Sequence, residues 1–373
     1  MSKEISWSIQ TVNSFIEQYP LLKDHPYLSD RWHYENGCIL KAVAEVYELT
    51  GSQEYYKYIK KNMDTYVRED GTIIGYSIEE YNLDQINQGK LLLFLYRHTQ
   101  DYKYIKAARL LVTQLKGHPR TSEGGFWHKK IYPYQMWLDG LYMASPFLAE
   151  YAELELKPLL FDDVTAQLLI VEKHTRNAQT GLLYHGWDES KEQEWANAEH
   201  GCSPHVWGRA IGWYCMAVVD VLDYLPIDHK HRGQIIGIFE RLYKALERIQ
   251  DEKTGLWCQV LGEEGRTGNY LEATGSSMIV YTATKALNKG YLSSGYRESV
   301  RKGYQGIVEQ LVEVDGHGHV HLHQNNKGAG LGGSPYRDGS YTYYINEQIV
   351  SNDPKGLAPF ILASVETEKG GRS

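Results

Sequence analysis

Apolar residues recur at three- and four-residue spacing along most of the chain, with polar residues filling the positions between. That period puts the apolar set on one face of an α-helix. It predicts helices over 5–18, 33–50, 53–67, 84–99, 101–116, 136–152, 158–174, 205–224, 230–250, 272–289, 294–312 and 356–366. The twelve fall into six hairpin pairs. Short polar segments separate the pairs: EDGTIIGYS (69–77), SEGGFWHKK (122–130), QTGLLYHGW (179–187), KTGLWCQVL (253–261) and VDGHGHVHLH (314–323). Each has glycine near its start and apolar or aromatic residues after it, the pattern of a tight turn feeding a strand. NAQTGLLY (177–184) and DEKTGLWC (251–258) resemble each other closely, so the pairs read as an internal repeat with loops of variable length.

Glycine repeats in the same rhythm. Gly37, Gly89, Gly140, Gly208 with Gly212, Gly275 and Gly356 each stand near the start of every second helix. Glycine inside a helix costs about 1 kcal/mol relative to alanine, so the recurrence needs a reason. Close approach of backbones supplies one. If the second helix of each pair lines the centre of a ring, its glycine turn lets it converge there. Six inner and six outer helices then form an all-α (α/α)6 toroid with short β-hairpins in its loops. No Pro- or Ser-rich linker interrupts it, so residues 1–373 read as one domain.

In that ring the turns leading into the inner helices open at one end. They are RWHYENG (31–37), YNLDQINQG (81–89), YPYQMWLDG (132–140), CSPHVWGRAIGW (202–213), NYLEATGSS (269–277) and YTYYINEQIVSNDPKG (341–356). GFWHKK (125–130) and LLYHGWDE (182–189) border the same mouth. Polar and aromatic residues concentrate there, making it the expected pocket. Asp139 stands out, as the only carboxylate between Glu123 and Glu150. An acid among Trp127, His128, Trp137 and Tyr142 is expected to have a raised pKa, which suits a proton donor near neutrality. The alternative is a solvated aspartate facing a helix dipole. Asp84, His128, Asp139, His185, Arg209 and Trp213 form the strongest constellation, two carboxylates with basic and aromatic company suited to acid/base work on an anionic sugar. Taken singly, Asp84 could equally be a helix cap, and Arg209 the buried partner of a carboxylate.

Composition narrows the function further. The net charge is −8 and no long basic run appears, which argues against nucleic acid. The longest apolar run, Leu91 to Tyr96, is far too short to span a bilayer. The first twenty residues are amphipathic and lack the apolar core of a signal peptide, so a cytoplasmic location is expected. Cys38, Cys202, Cys215 and Cys258 form no CxxC pair and read as reduced thiols. The chain has 30 tyrosines and 9 tryptophans, enough for a pocket that stacks on sugar rings, although a large core would use them too. His317, His319, His321 and His323 alternate along a predicted strand, with no carboxylate or cysteine paired to them at close spacing, and read as a solvated hairpin face rather than a metal site. GAGLGGS (328–334) is not followed by a clear helix, so it fails as a phosphate loop and reads as a loop folded over the mouth.

These residues resemble the unsaturated rhamnogalacturonyl hydrolases, glycoside hydrolase family 105, and more distantly the unsaturated glucuronyl hydrolases. The similar stretches are RWHYENG (31–37), LDQINQG (83–89), RTSEGGFWHKKIYPYQMWLDGLYM (120–143), GLLYHGWDE (181–189), GCSPHVWGRAIGWY (201–214) and NDPKGLAPFILASVE (352–366). The resemblance covers nearly the whole chain except 316–345, and it implies an (α/α)6 barrel. It implies Asp139 as general acid/base and Asp84 as the second pocket aspartate. Tyr34, His128, Trp137, His185, Arg209 and Trp213 would contact substrate, with Lys129 near the neighbouring sugar. The implied substrate is a small oligosaccharide ending in a C4=C5 unsaturated uronic acid, such as a pectin lyase product, hydrated with no metal or organic cofactor by a chain expected to be a monomer. Asp84 and Asp139 are expected to face each other, so that one keeps its proton to higher pH. An unsaturated glucuronyl hydrolase, a conventional inverting glycosidase with two spaced carboxylates, and a sugar-binding scaffold remain the alternatives.

Overall fold

The computed structural model describes residues 6–28 and 31–371. All twelve predicted helices are present: α1 (Trp7–Gln18), α2 (Tyr34–Thr50), α3 (Gln53–Met63), α4 (Gly89–Thr99), α5 (Tyr102–Gly117), α6 (Leu138–Leu154), α7 (Leu159–Thr175), α8 (Gly208–Val221), α9 (Arg232–Glu247), α10 (Ala273–Asn288), α11 (Arg297–Leu311) and α13 (Pro354–Gly370). A short α12 (Tyr341–Asn346) was not expected. The predicted start of the first helix, residue 5, lies outside the described residues. Local chemistry sets several ends. Asp101 caps α5 by accepting from the Lys103 N–H, and Asp353 caps α13 just ahead of Pro354. That cap and proline start α13 ahead of the predicted residue 356, and the helix runs on past 366 to Gly370.

The inner helices α2, α4, α6, α8, α10 and α13 each pack on the next, and α13 returns to α2 to close the ring. Outer helices flank them, with α1 lying against α13. This is the (α/α)6 barrel. Sequence distinguishes the two layers: every residue of α8 is buried, whereas α11 buries only Val300, Gly303, Gly306, Ile307 and Leu311, a single stripe. The glycine turns lie where neighbouring backbones converge. A Cβ on Gly89 would fall 2.5 Å from the Phe147 ring of α6, and one on Gly275 would fall 3.1 Å from the Gly208 backbone.

The strands differ from expectation in one respect. β5 (Val312–Val314) and β6 (Val320–Leu322) form a local hairpin. The other pairs join distant segments: β1 (Gln135–Trp137) with β2 (Gly186–Asp188), β3 (Val206–Trp207) with β4 (Val260–Leu261), and β7 (Asn325–Asn326) with β8 (Ile349–Val350). β1 and β3 run directly into α6 and α8, so they tie inner-helix starts to the segments that follow the outer helices. The repeated turns match in detail. Asn177 and Asp251 each accept backbone N–H groups two and three residues on, and Gly181 and Gly255 close the turns at φ +77° and +75°.

The helix predicted over 84–99 is interrupted. Leu83–Ile86 is a separate 3₁₀ turn, and α4 begins only at Gly89. Asn82, not Asp84, does the capping, its side chain accepting from the Asp84 N–H at 3.0 Å. That leaves the Asp84 carboxylate free for other partners. No helix among the described residues is long and apolar enough to cross a membrane.

Candidate active site

Backbone pairing brings the candidate residues together. The Leu83 N–H donates to the His128 carbonyl, and Asn82 bridges Lys129, which sets Asp84 beside both basic residues. Trp137 pairs with Gly186 across β1 and β2, and the Leu138 N–H donates to the His185 carbonyl. His185 therefore arrives next to Asp139 in the first turn of α6.

The two aspartates have different surroundings. Asp84 is buried and lies 2.6 Å from Lys129 Nζ and 3.7 Å from His128 Nε2. Burial pushes its carboxyl up, but Lys129, His128 and His33 together outweigh that and hold it at about 2. Asp84 is thus a fixed anion in an ion pair. Asp139 has no Lys or Arg partner among the described residues. Its Oδ2 lies 3.2 Å from His185 Nε2, unaligned for a hydrogen bond, and neither atom has another partner. His185 is fully buried, and its Nδ1 is 2.8 Å from the Tyr344 hydroxyl.

His128 stands within electrostatic reach of both carboxylates. Burial lowers its pKa to about 4 against the opposing pull of Asp84, so the ring is neutral near pH 7. It stacks on Trp137 at 4.5 Å, and Trp137 stacks on Tyr132 at 4.8 Å. A second aromatic wall comes from α2, α6 and α8. Tyr34 meets the Trp213 ring edge-on at 6.4 Å, and Trp213 stacks on Tyr142 at 5.0 Å.

Arg209 is placed differently from its neighbours. Its guanidinium is buried, 3.6 Å from Glu272, and donates to the Asn326 carbonyl and to Thr274. The reading of Arg209 as a carboxylate's buried partner therefore describes its surroundings, although its Nε has no partner. Asp84, His128, Lys129, Trp137, Asp139 and His185 form one contiguous group. Tyr34 lies within electrostatic reach of both Asp84 and Arg209.

The chain matches Glycosyl Hydrolase Family 88 over residues 7–370. It belongs to that family. A solved glycoside hydrolase from family 105 of C. acetobutylicum is 46% identical, with a TM-score of 0.95, covering 98% of this chain and 100% of that one. The unsaturated rhamnogalacturonyl hydrolase YesR of Bacillus subtilis is 30% identical over 291 residues, 76% of this chain and 77% of YesR. A possible family 105 member from Klebsiella pneumoniae shares the fold at 24% identity and a TM-score of 0.78, covering 91% of this chain and 83% of that one. The chain is a glycoside hydrolase.

Several residues around the candidate site were not singled out from the sequence. Tyr132, Trp207 and Tyr344 lie in segments assigned to the mouth, but 30 tyrosines and 9 tryptophans dilute any one of them as a signal. Trp207 packs on His185 at 4.8 Å and stacks on Tyr344 at 6.1 Å. Arg337 donates to the Tyr132 hydroxyl and lies over the Trp137 ring. The glycine-rich loop does fold over this region: Leu331 is buried against Trp137 and Trp195. The alternating histidines need a correction. Asp315 lies 3.1 Å from His321 and 3.5 Å from His319, and Glu313 lies 3.0 Å from His323, so carboxylates do accompany them. The β5–β6 hairpin brings these acids alongside. Among the described residues no group of three His, Cys, Asp or Glu is arranged to hold a metal ion.

Proposed function

We propose that this enzyme releases the C4=C5 unsaturated uronic acid from the non-reducing end of rhamnogalacturonan lyase products, by hydrating the vinyl ether. Asp139 protonates C4, which generates an oxocarbenium-like cation at C5. Water adds there and gives up a proton to Asp139. The resulting hemiketal opens to a keto sugar and releases its partner. Asp84 orients substrate hydroxyls or water, Trp213 and Tyr34 face the ring, and His128, His185 and Arg209 bind polar substituents. Trp137 supports His128 by stacking, and Lys129 lies towards the neighbouring sugar while holding Asp84 ionised. The catalytic domain acts as a monomer in the cytoplasm.

The observation that carries this reading is the unlike pairing of the two aspartates. A conventional inverting glycosidase needs a second carboxylate able to take a proton from water. Asp84, held at about 2 by Lys129 despite burial, is a poor base. That leaves one acid/base group, Asp139, which is what protonation of a vinyl ether requires. The rhamnogalacturonan preference rests on similarity to YesR.

The test is turnover of an unsaturated galacturonyl-rhamnose disaccharide, followed by loss of the double bond's ultraviolet absorbance, beside its saturated counterpart. The unsaturated compound is consumed and the saturated one is inert. Equal turnover of both would exclude vinyl-ether hydration, and preference for an unsaturated glucuronyl disaccharide would reassign the substrate.

A further inference from the structure

The hydroxyl of Tyr344 reaches His185 from the side opposite Asp139. Tyr344 and His185 are both fully buried, and the hydroxyl lies 2.8 Å from Nδ1. Among the described residues this hydroxyl has no other hydrogen-bond partner. A buried O–H that gives its proton to nothing carries a full desolvation cost, so the hydroxyl donates and Nδ1 accepts. Nδ1 then has no hydrogen, and in the neutral ring Nε2 must carry it. Nε2 is the atom 3.2 Å from Asp139 Oδ2.

We infer that Tyr344 is a positioning residue that pins His185 in its Nε2–H tautomer and so keeps the Asp139 proton available to substrate. With Nε2 already protonated, a protonated Asp139 cannot donate to His185, and its proton is left for C4. Once that proton has gone, the same N–H, 3.2 Å away, needs only a small turn of the carboxylate to donate to it and stabilise it. A free imidazole would behave differently, because it could turn a bare Nε2 towards Asp139 and accept its proton in a closed hydrogen bond. Tyr344 blocks that state because it requires hydrogen on Nδ1, against the phenol's own hydrogen. The rings of Trp207 and Trp137, 4.8 and 5.6 Å from the imidazole, hold its plane while the phenol sets its proton. Gln259 anchors the tyrosine by donating to its main-chain carbonyl at 3.1 Å. Tyr344 lies in the short α12, within the 316–345 stretch where the sequence resemblance is weakest.

This inference rests on the role proposed for Asp139, so the experiment has two arms. The first needs no substrate: long-range ¹H–¹⁵N correlation spectra of the histidine-labelled full chain near pH 7, with His185 assigned by its loss in His185→Asn. The Nε2–H tautomer is expected, and an Nδ1–H tautomer would overturn the inference whatever the enzyme acts on. The second arm measures kcat and kcat/KM against pH for Tyr344→Phe on the unsaturated disaccharide. Freed to accept from Asp139, His185 stabilises the protonated acid. The alkaline limb therefore moves up by at least ~0.5 pH unit while kcat falls ~10-fold or more. A fall in kcat with an unmoved limb is loosening alone and overturns it. If the wild type leaves the disaccharide untouched, the proposed substrate fails while the tautomer arm still decides on Tyr344, as it does if Tyr344→Phe does not fold.

Discussion

Asp84 and Asp139 are the same amino acid at comparable places in the ring, and only their neighbours separate them. Asp84 has a lysine at 2.6 Å; Asp139 has a buried imidazole at 3.2 Å and, among the described residues, no Lys or Arg partner. Asp139→Asn keeps the shape and removes the proton, so kcat falls by at least ~10²-fold while the fold and ground-state binding persist. Steady-state kinetics with a thermal melt and a binding titration check this, and near wild-type kcat would move the acid elsewhere. The isolation of Asp139 among apolar and aromatic residues was legible in the sequence. The partners that define its chemistry were less so. Tyr344 is one tyrosine among many, and the Asp84–Lys129 contact depends on a backbone bridge between segments 47 residues apart, from Asn82 to Lys129. Arg209 was legible as a buried basic residue, but not that Glu272 would be the carboxylate beside it.

At the scale of elements, helical periodicity was enough to locate all twelve long helices, because burial of one stripe or of the whole surface leaves a period that no loop imitates. α12 escaped because its six residues are too short to display one. The inter-segment strands escaped for a related reason: two- or three-residue strands carry no pattern, and their partners are some fifty residues away. The inner-helix glycines were legible through recurrence, and their tolerance is testable. A side chain at Gly89 meets the Phe147 ring, held rigidly between α4 and α6. Gly89→Val should therefore destabilise the fold by about 1–3 kcal/mol through overpacking, beyond any gain in helix propensity. Denaturant unfolding measures it. A variant as stable as wild type would show that the ring can widen at this joint.

Across the whole molecule, burial has left three histidines neutral, His25 in one place and His118 and His128 near each other. His25, His118 and His128 are each lowered to about 4, burial being the main cause in every case. The unfolded chain binds these protons near pH 6.5 and the native chain only near 4, so stability falls as pH drops between those values. Each site accounts for up to about 3 kcal/mol by pH 4, at roughly 1.4 kcal/mol per pH unit. Melting temperature should fall steadily from pH 6.5 to 4.5, and His118→Gln, at a ring that bonds the Trp127 carbonyl behind His128, should flatten that fall. Parallel curves for the two proteins would remove His118 from the account. The closure of the ring bears on how the protein comes into being. α13 packs against α2 and α10, Glu368 bonds Ser8 at the start of α1, and Lys355 pairs with Glu35 beside Tyr34. A ribosome delivers α13 only after the other five inner helices. Until then the nascent chain is an open crescent with apolar flanks bare to water, and α1, made early, has α2 and the α3 tyrosines to rest on but lacks α13, its main support. The pocket therefore gains its final wall late, and a chain stalled before α13 would be a client for chaperones rather than a slow enzyme.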